Sequence, residues 1–130
     1  MVGACWSLIW EAFKKRGKAD NINKHTAKLL LASIVSNTLY FKSPGTTKRD
    51  TVAYAELEKR TGLGHEWVSS YFLEQEEVLF ENFSHYLQTD TKIFKIQLDE
   101  FVIGQIELWN ADMILEEKQD EIDDVMKQFE

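Results

Sequence analysis

Apolar side chains recur with a helical period in five stretches of the chain, and they alternate with polar side chains in one further region. The first stretch places Cys5, Ile9 and Phe13 at helical spacing, which predicts a helix over residues 2–16. Gly17 follows a basic last turn and is a typical helix stop, because glycine adopts the left-handed conformation at little cost.

The next two helices are predicted from their ends as well as from their apolar positions. Asn23 is a suitable N-cap for a second helix, whose segment 29–35 is apolar on nearly every face. Such a helix is normally buried inside a larger protein. Thr47, followed three residues later by Asp50, has the sequence of a capping box, and the third helix is expected to end before Gly62.

The rest of the chain predicts a fourth helix, a β-hairpin and a last helix. Residues 64–87 keep the helical period, whereas residues 92–96 alternate between polar and apolar, as a half-buried strand does. A turn at 97–100 leads into a return strand at 101–108. Residues 111–129 carry an apolar stripe opposite an acidic face, and the stripe consists of Leu115, Ile122, Val125, Met126 and Phe129. The fold class is therefore α/β, with helices packed on a small mixed sheet that contains a β-hairpin.

Composition narrows the classes of partner and compartment. The formal net charge of −7 argues against sequence-independent binding of nucleic acid, which depends on lysine and arginine. No apolar run is long enough to span a bilayer, so no membrane partner is expected. The single cysteine, Cys5, suits a reducing compartment, and the first residues do not read as a signal peptide. We therefore expect a cytoplasmic protein.

General site motifs are missing from the sequence. It contains neither a phosphate-binding GxxxxGK[ST] loop nor a GxGxxG turn, and one cysteine with three scattered histidines cannot supply a zinc site. These patterns alone support only an α/β domain.

A longer segment carries more information. Residues 29–44, LLLASIVSNTLYFKSP, resemble the family II inorganic pyrophosphatase segment that reads like LLLAAILSDTLxFKSP. Three further segments resemble motifs of the same family in the same order: VGACWSLI at 2–9, DTKIF at 90–94 and IGQIE at 103–107. The chain therefore resembles a metal-dependent pyrophosphatase of the DHH phosphoesterase superfamily over most of its length.

The resemblance implies a function and a domain plan. Family members hydrolyse pyrophosphate between two domains, using Mn²⁺ (or Mg²⁺ or Co²⁺) ions. By this plan, residues 1–41 are the last helices of the DHH domain, 42–46 a linker around the only proline, and 47–130 part of the DHH-associated substrate-binding domain. The DHH motif and the basic terminal motif of the family are not found, so we expect a truncated version of the two-domain parent.

Three site residues are implied by the resemblance. Asn37 matches the metal-binding aspartate of the family's S-D-T motif, Lys92 matches the phosphate-binding lysine of D-x-K-x-F, and Gln105 matches the glutamine of the return strand. Asn37 is a departure, because an amide oxygen ligates a metal without supplying negative charge. We therefore identify no catalytic residue. We expect weakened metal binding and an isolated chain without activity.

Two other functions stay open. An exopolyphosphatase of the same superfamily would take polyphosphate in place of pyrophosphate. A non-catalytic phosphate-binding or interaction module would keep the lysine-bearing sheet and lose the metal site. The resemblance also implies further strands after the last helix. Without them the hairpin is expected to leave an open sheet edge and the apolar helices of 2–39 to lose their cover, which favours a homo-oligomer.

Overall fold

The computed structural model describes residues 2–97 and 99–129. The helices and strands, in chain order, are α1 (Cys5–Lys15), α2 (Lys24–Thr38), α3 (Lys48–Thr61), α4 (Trp67–Glu81), α5 (Phe83–Thr89), β1 (Thr91–Ile96), β2 (Asp99–Gly104) and α6 (Ala111–Met126). Short 3₁₀ turns follow α1 and α6. The chain forms two compact units that divide after Ser69, within α4. They are called the N-terminal unit and the C-terminal unit below.

The N-terminal unit is built around α2, which packs against both α1 and α3. Leu31, Ile34 and Val35 of α2 are fully buried, and so is Leu57 of α3. Leu29, in the same apolar segment, is 57% exposed. The segment predicted to be buried on nearly every face therefore buries one broad face and leaves another open.

The helix ends predicted from the sequence are confirmed. The side chain of Asn23 accepts a hydrogen bond from the Thr26 amide at 2.8 Å, and Thr47 and Asp50 form a reciprocal capping box. Gly17 and Gly62 have φ values of 64° and 68°, in the left-handed region where glycine carries no steric penalty. These local signals position the three helices before any tertiary contact is considered.

Asp50 also joins the start of the chain to α3. Its carboxylate accepts hydrogen bonds from the amides of Gly3 (2.9 Å) and Ala4 (3.0 Å) and from the hydroxyl of Ser7 (2.7 Å). Burial alone would raise the pKa of this carboxyl, but these bonds and those from Thr47 outweigh it and hold the pKa well below its usual range. A single buried charge thus fixes α1 against the N-terminus of α3.

The predicted fourth helix over residues 64–87 is wrong in one respect, because two helices occupy this region. The break is at Asn82, whose φ of −126° and ψ of 32° leave the helical region. The Asn82 side chain donates to the carbonyl of Val78 at 3.3 Å. Asparagine competes with helical backbone bonding in this way, so the helix is interrupted and restarts as α5.

The hairpin is confirmed, although its return strand is shorter than predicted. β1 and β2 pair antiparallel, with Thr91 opposite Gly104 and Phe94 opposite Phe101. The predicted strand 101–108 ends at Gly104 because β1 begins at Thr91 and offers no partner beyond it. In the described part of the chain the sheet consists of these two strands. Leu98, in the predicted turn, lies outside the described residues.

The core of the C-terminal unit lies between α5 and α6. Its buried members are Phe83, Leu87, Ile114 and Val125. α6 occupies most of the predicted range 111–129, but Leu115 of the predicted stripe is 47% exposed while its neighbour Ile114 is buried.

Residues 42–46 lie within the N-terminal unit, in the connection between α2 and α3. Their role as a linker between the two parental domains stays a prediction. Among the residues that the structure describes, no helix combines the length and the apolar character needed to cross a membrane.

Candidate functional site

A hollow of ≈ 380 Å³ in the C-terminal unit brings two of the three predicted site residues together. Lys92 of β1 and Gln105, just after β2, both line it. The remaining lining residues are Leu79, Tyr86, Asp90, Phe94, Ile103, Ile106 and Glu107.

The hairpin register explains why Lys92 and Gln105 meet. Lys92 lies opposite Ile103 in the antiparallel ladder, and cross-strand partners share one face of a sheet. Side chains two positions apart on a strand also share a face, so Phe94 joins Lys92. Gln105 directly follows the end of β2 and lines the same hollow. Two motifs on successive strands therefore contribute to one concave surface.

The charges of this hollow favour a phosphate that carries a cation over a bare phosphate. Lys92 supplies one positive charge, while Asp90 and Glu107 supply two negative charges. Tyr86 and Gln105 add a hydroxyl and an amide that can donate hydrogen bonds. A bare polyanion would meet more negative than positive charge, so a bound cation would improve the balance.

The sequence interpretation missed Tyr86, Asp90 and Glu107 as lining residues. Asp90 and Glu107 stand two positions from Lys92 and Gln105 in the motifs DTKIF and IGQIE, so the same motifs could have indicated both. Tyr86 comes from α5, and no local pattern in the sequence singles it out.

Asn37 occupies the last turn of α2 in the N-terminal unit. Its side chain is exposed, and its Nδ2 donates a hydrogen bond to the carbonyl of Ser33 at 2.9 Å. Because the amide nitrogen faces its own helix, Oδ1 is the atom that could meet a cation. Within residues 2–97 and 99–129, no group of three or more histidine, cysteine or acidic side chains is placed to hold a metal ion. One neutral oxygen does not make a manganese site, so these residues do not fit the metal by themselves.

The turn that follows Asn37 has an uncommon backbone. Leu39, Tyr40 and Phe41 have φ values of 46°, 48° and 71°, and three consecutive non-glycine residues in this region cost about 1–2 kcal/mol each. Tyr40 and Phe41 pack on the ring of Tyr54, at centroid distances of 5.6 Å and 5.2 Å. Burial, followed by the hydrogen bond with Tyr40, raises the pKa of Tyr54. The aromatic cluster thus stabilises a strained turn that begins two residues after Asn37.

Comparison with known proteins gives consistent relatives. The chain is 28% identical over 118 residues to a protein of Lactobacillus delbrueckii subsp. bulgaricus, covering 90% of this chain and 37% of that protein. It is 29% identical over 118 residues to a protein of Bacillus cytotoxicus, covering 88% of this chain and 36% of that protein. Both relatives are named probable manganese-dependent inorganic pyrophosphatase. No family model matches the chain.

The fold agrees with the sequence. A crystal structure of a Methanococcus jannaschii protein, described as a putative family II inorganic pyrophosphatase, matches with a TM-score of 0.72 and 26% identity. This match covers 98% of this chain and 44% of the other. The chain resembles part of a family II inorganic pyrophosphatase in both sequence and fold. The resemblance predicted from the motifs is therefore confirmed.

The chain matches only part of each relative. The chain spans 36–40% of the length of the curated pyrophosphatases that it matches. The expectation of a fold truncated relative to the pyrophosphatase parent is confirmed by this coverage and by the structural match.

Proposed function

We propose that this chain is a portion of a metal-dependent inorganic pyrophosphatase and that its C-terminal unit binds a phosphate of pyrophosphate. The observation that carries the proposal is the shared hollow: Lys92 and Gln105 come from separate family-like motifs and line one concave surface. Two independent sequence assignments that converge in space support a common role.

Lys92 is the residue assigned to charge recognition. Its ammonium group donates up to three hydrogen bonds to phosphate oxygens and offsets their negative charge. Gln105 is assigned to positioning, because its amide N–H can hold a second oxygen without adding charge. Asp90 and Glu107 would receive the cation that accompanies the phosphate, which explains acidic side chains in a proposed anion site.

The metal chemistry is assigned to the parent protein. The names of the relatives support Mn²⁺ there, and Mg²⁺ or Co²⁺ are chemically similar choices. A metal bound at Asn37 needs ligands that the described residues of this chain do not supply. We therefore propose that the isolated chain does not turn over pyrophosphate, and that the parent acts in the cytoplasm.

A paired substitution tests the phosphate site. Lys92→Gln removes the charge from the hollow, whereas Lys95→Gln removes a charge from the opposite face of the same strand, where Lys95 pairs with Glu100. Calorimetric titration with pyrophosphate, with and without Mn²⁺, should show roughly tenfold weaker binding for Lys92→Gln, as expected for the loss of a charge-assisted hydrogen bond. Lys95→Gln should change the affinity by less than about twofold. Equal effects of the two substitutions would contradict the assignment of the hollow.

A turnover assay tests the role of the isolated chain. Orthophosphate release from pyrophosphate in excess Mn²⁺ should not exceed the protein-free control. Clear metal-dependent release would show that residues of this chain assemble a catalytic site by themselves, which is contrary to the proposal. The full-length protein can be assayed in the same way with long polyphosphate. Faster hydrolysis of polyphosphate than of pyrophosphate would indicate an exopolyphosphatase parent.

One observation favours a second candidate, a non-catalytic phosphate-binding module. Asn37 is neutral, and its amide nitrogen is bonded to its own helix, whereas the hollow around Lys92 is formed within the C-terminal unit alone. A chain that binds pyrophosphate equally well with and without Mn²⁺ would support the module over a portion of a metal-dependent enzyme.

A further inference from the structure

The hollow that contains Lys92 and Gln105 has apolar walls for which a phosphate alone has no use. Of the nine described residues that line it, five are apolar or aromatic: Leu79, Tyr86, Phe94, Ile103 and Ile106. An inorganic phosphate is recognised by charges and hydrogen bonds, so these side chains would make no specific contact with it. The volume of ≈ 380 Å³ lies within the range of about 300–1,000 Å³ in which proteins bind small organic molecules. The hollow therefore fits a ligand that carries an apolar part as well as phosphate.

Two aromatic rings line this hollow from different elements. Phe94 lies on β1 and Tyr86 lies on α5. The two residues are 45% and 42% exposed, so each ring keeps surface that a ligand can cover. Nucleobases stack on phenylalanine and tyrosine rings, and the loss of one such ring commonly weakens binding by about fivefold or more. A flat aromatic group is therefore the apolar part that these two rings would recognise.

The spacing of Lys92 and Phe94 matches the spacing of a phosphate and a base within a nucleotide. These residues stand two positions apart on β1, so their side chains share one face and their Cα atoms are about 6–7 Å apart. In a nucleotide, a single sugar separates the base from the first phosphate by a comparable length. A base stacked on Phe94 would thus leave its phosphates within reach of the flexible lysine side chain.

The carboxylates of the hollow suit the sugar of such a ligand. Asp90 and Glu107, which would receive the cation that accompanies phosphate, can also accept hydrogen bonds. Carboxylates bind ribose through its hydroxyl groups in many nucleotide sites. Negative side chains near a phosphate-binding lysine are a disadvantage for a bare polyanion, but they are useful for a ligand with donor hydroxyls between its charged and aromatic ends.

We propose that the hollow binds a nucleoside diphosphate, with its base against Phe94 and Tyr86 and its diphosphate at Lys92. This binding rests on the proposed function, because it places a diphosphate group at the same lysine. It extends the ligand from inorganic pyrophosphate to an ester of pyrophosphate. The base then supplies affinity that inorganic pyrophosphate cannot supply.

The first test compares two diphosphate esters, one with a nucleoside and one without. The unsubstituted chain is titrated calorimetrically with ADP and with methyl diphosphate, each in Mg²⁺, so that the charged groups of the two ligands match. ADP should bind at least about tenfold more tightly, because base stacking on aromatic side chains strengthens binding by about that factor. Equal affinities for the two ligands would overturn the proposal, because the base and the sugar would then contribute nothing.

The second test removes one ring at a time. Phe94→Leu and Tyr86→Leu keep an apolar side chain, and each should lower the preference for ADP over methyl diphosphate by about fivefold or more. Phe101→Leu is the matched control, because Phe101 pairs with Phe94 across the hairpin and is 46% exposed but is not among the described residues that line the hollow. It should change this preference by less than about twofold. Equal effects of Phe94→Leu and Phe101→Leu would contradict the role of Phe94.

Lys92→Gln separates failure of the nucleotide proposal from failure of the proposed function. The substitution should weaken the binding of both ADP and methyl diphosphate by roughly tenfold, because both place their phosphates at Lys92. If Lys92→Gln weakens both ligands but the ring substitutions leave the preference for ADP unchanged, the nucleotide proposal is wrong and the phosphate site stands. If Lys92→Gln changes neither affinity, the phosphate site itself is wrong, and the nucleotide proposal fails with it.

Discussion

The two units differ in how they satisfy their exposed and buried groups. In the N-terminal unit, a buried charge at Asp50 meets five donor groups, and the predicted helix caps are formed as expected. In the C-terminal unit, the hairpin leaves five large apolar side chains about half exposed. The contrast shows that a chain can satisfy its buried hydrogen-bonding groups in one unit and still leave apolar side chains exposed to solvent in the other. The proposed phosphate site lies in the unit with the more exposed apolar surface.

Asp50→Asn is expected to have the largest effect and to be confined to the N-terminal unit. The amide group keeps the shape of the carboxylate, but its NH₂ would face N–H or O–H donors in a buried position. The free energy of unfolding of this unit should fall by about 3 kcal/mol. Residue-resolved hydrogen exchange measures each unit separately. Asp20→Asn, in a side chain that is 98% exposed, is the control, and it should change stability by less than about 0.5 kcal/mol.

The free energy of unfolding should depend on pH through the charge of the Asp50 carboxylate. The folded state lowers the pKa of Asp50, so its stabilising contribution is complete above the unfolded value of about 3.9 and is lost as the pH falls below it. Urea unfolding from pH 7 to pH 2 should therefore show an acid limb that is shallower in Asp50→Asn. An acid limb of unchanged slope would contradict the structural account of this charge.

Glu76→Gln is expected to have a smaller effect, confined to the C-terminal unit. Glu76 accepts hydrogen bonds from the amides of Trp109 and Asn110 at the start of α6, at 2.5 Å and 2.6 Å. Loss of the charge weakens these bonds, so that unit should lose about 1–2 kcal/mol. Glu77→Gln, at the exposed neighbour, is the control for helix α4. Hydrogen exchange that slows or stays constant in α6 would rule out this capping role.

Asn37→Asp is expected to have the smallest effect on stability and the most direct bearing on the metal. It removes the hydrogen bond from Nδ2 to Ser33 and places a negative charge at the C-terminal end of α2, where the helix dipole disfavours it. A loss of about 1 kcal/mol is expected in EDTA. Because the described residues supply no group of further metal ligands, Mn²⁺ should recover none of that loss in Asn37→Asp or in the unsubstituted chain. Recovery by Mn²⁺ in Asn37→Asp alone would contradict this account and would show that the chain holds a metal at position 37.

The sequence predicted the parts of the fold that depend on neighbouring residues. Asn23, Thr47 and Gly62 act within one turn of their helix ends, so their roles could be predicted from neighbouring residues. The break at Asn82 was missed because the apolar period continues through it, and the end of β2 depends on where its partner strand begins. Tertiary pairing therefore set the boundaries that local patterns could not.

The candidate site was predictable to a similar degree. Lys92 and Gln105 were identified from resemblance alone, and the register of the hairpin explains their meeting in one hollow. Tyr86 was not predictable, because its place in the hollow depends on how α5 packs rather than on any motif. The left-handed turn after Asn37 was also missed, since Leu39, Tyr40 and Phe41 are residues that rarely adopt positive φ.

The bonds of Asp50 to the start of the chain have a consequence for amide exchange. The first residues of a protein usually fray, and their amide hydrogens then exchange with solvent almost as fast as in an unfolded peptide. Here the amides of Gly3 and Ala4 are bonded to a carboxylate that lies 47 and 46 residues away along the chain. These two hydrogens can exchange only when their bonds to Asp50 break, so they report on the opening of the contact between the residues before α1 and the first turn of α3.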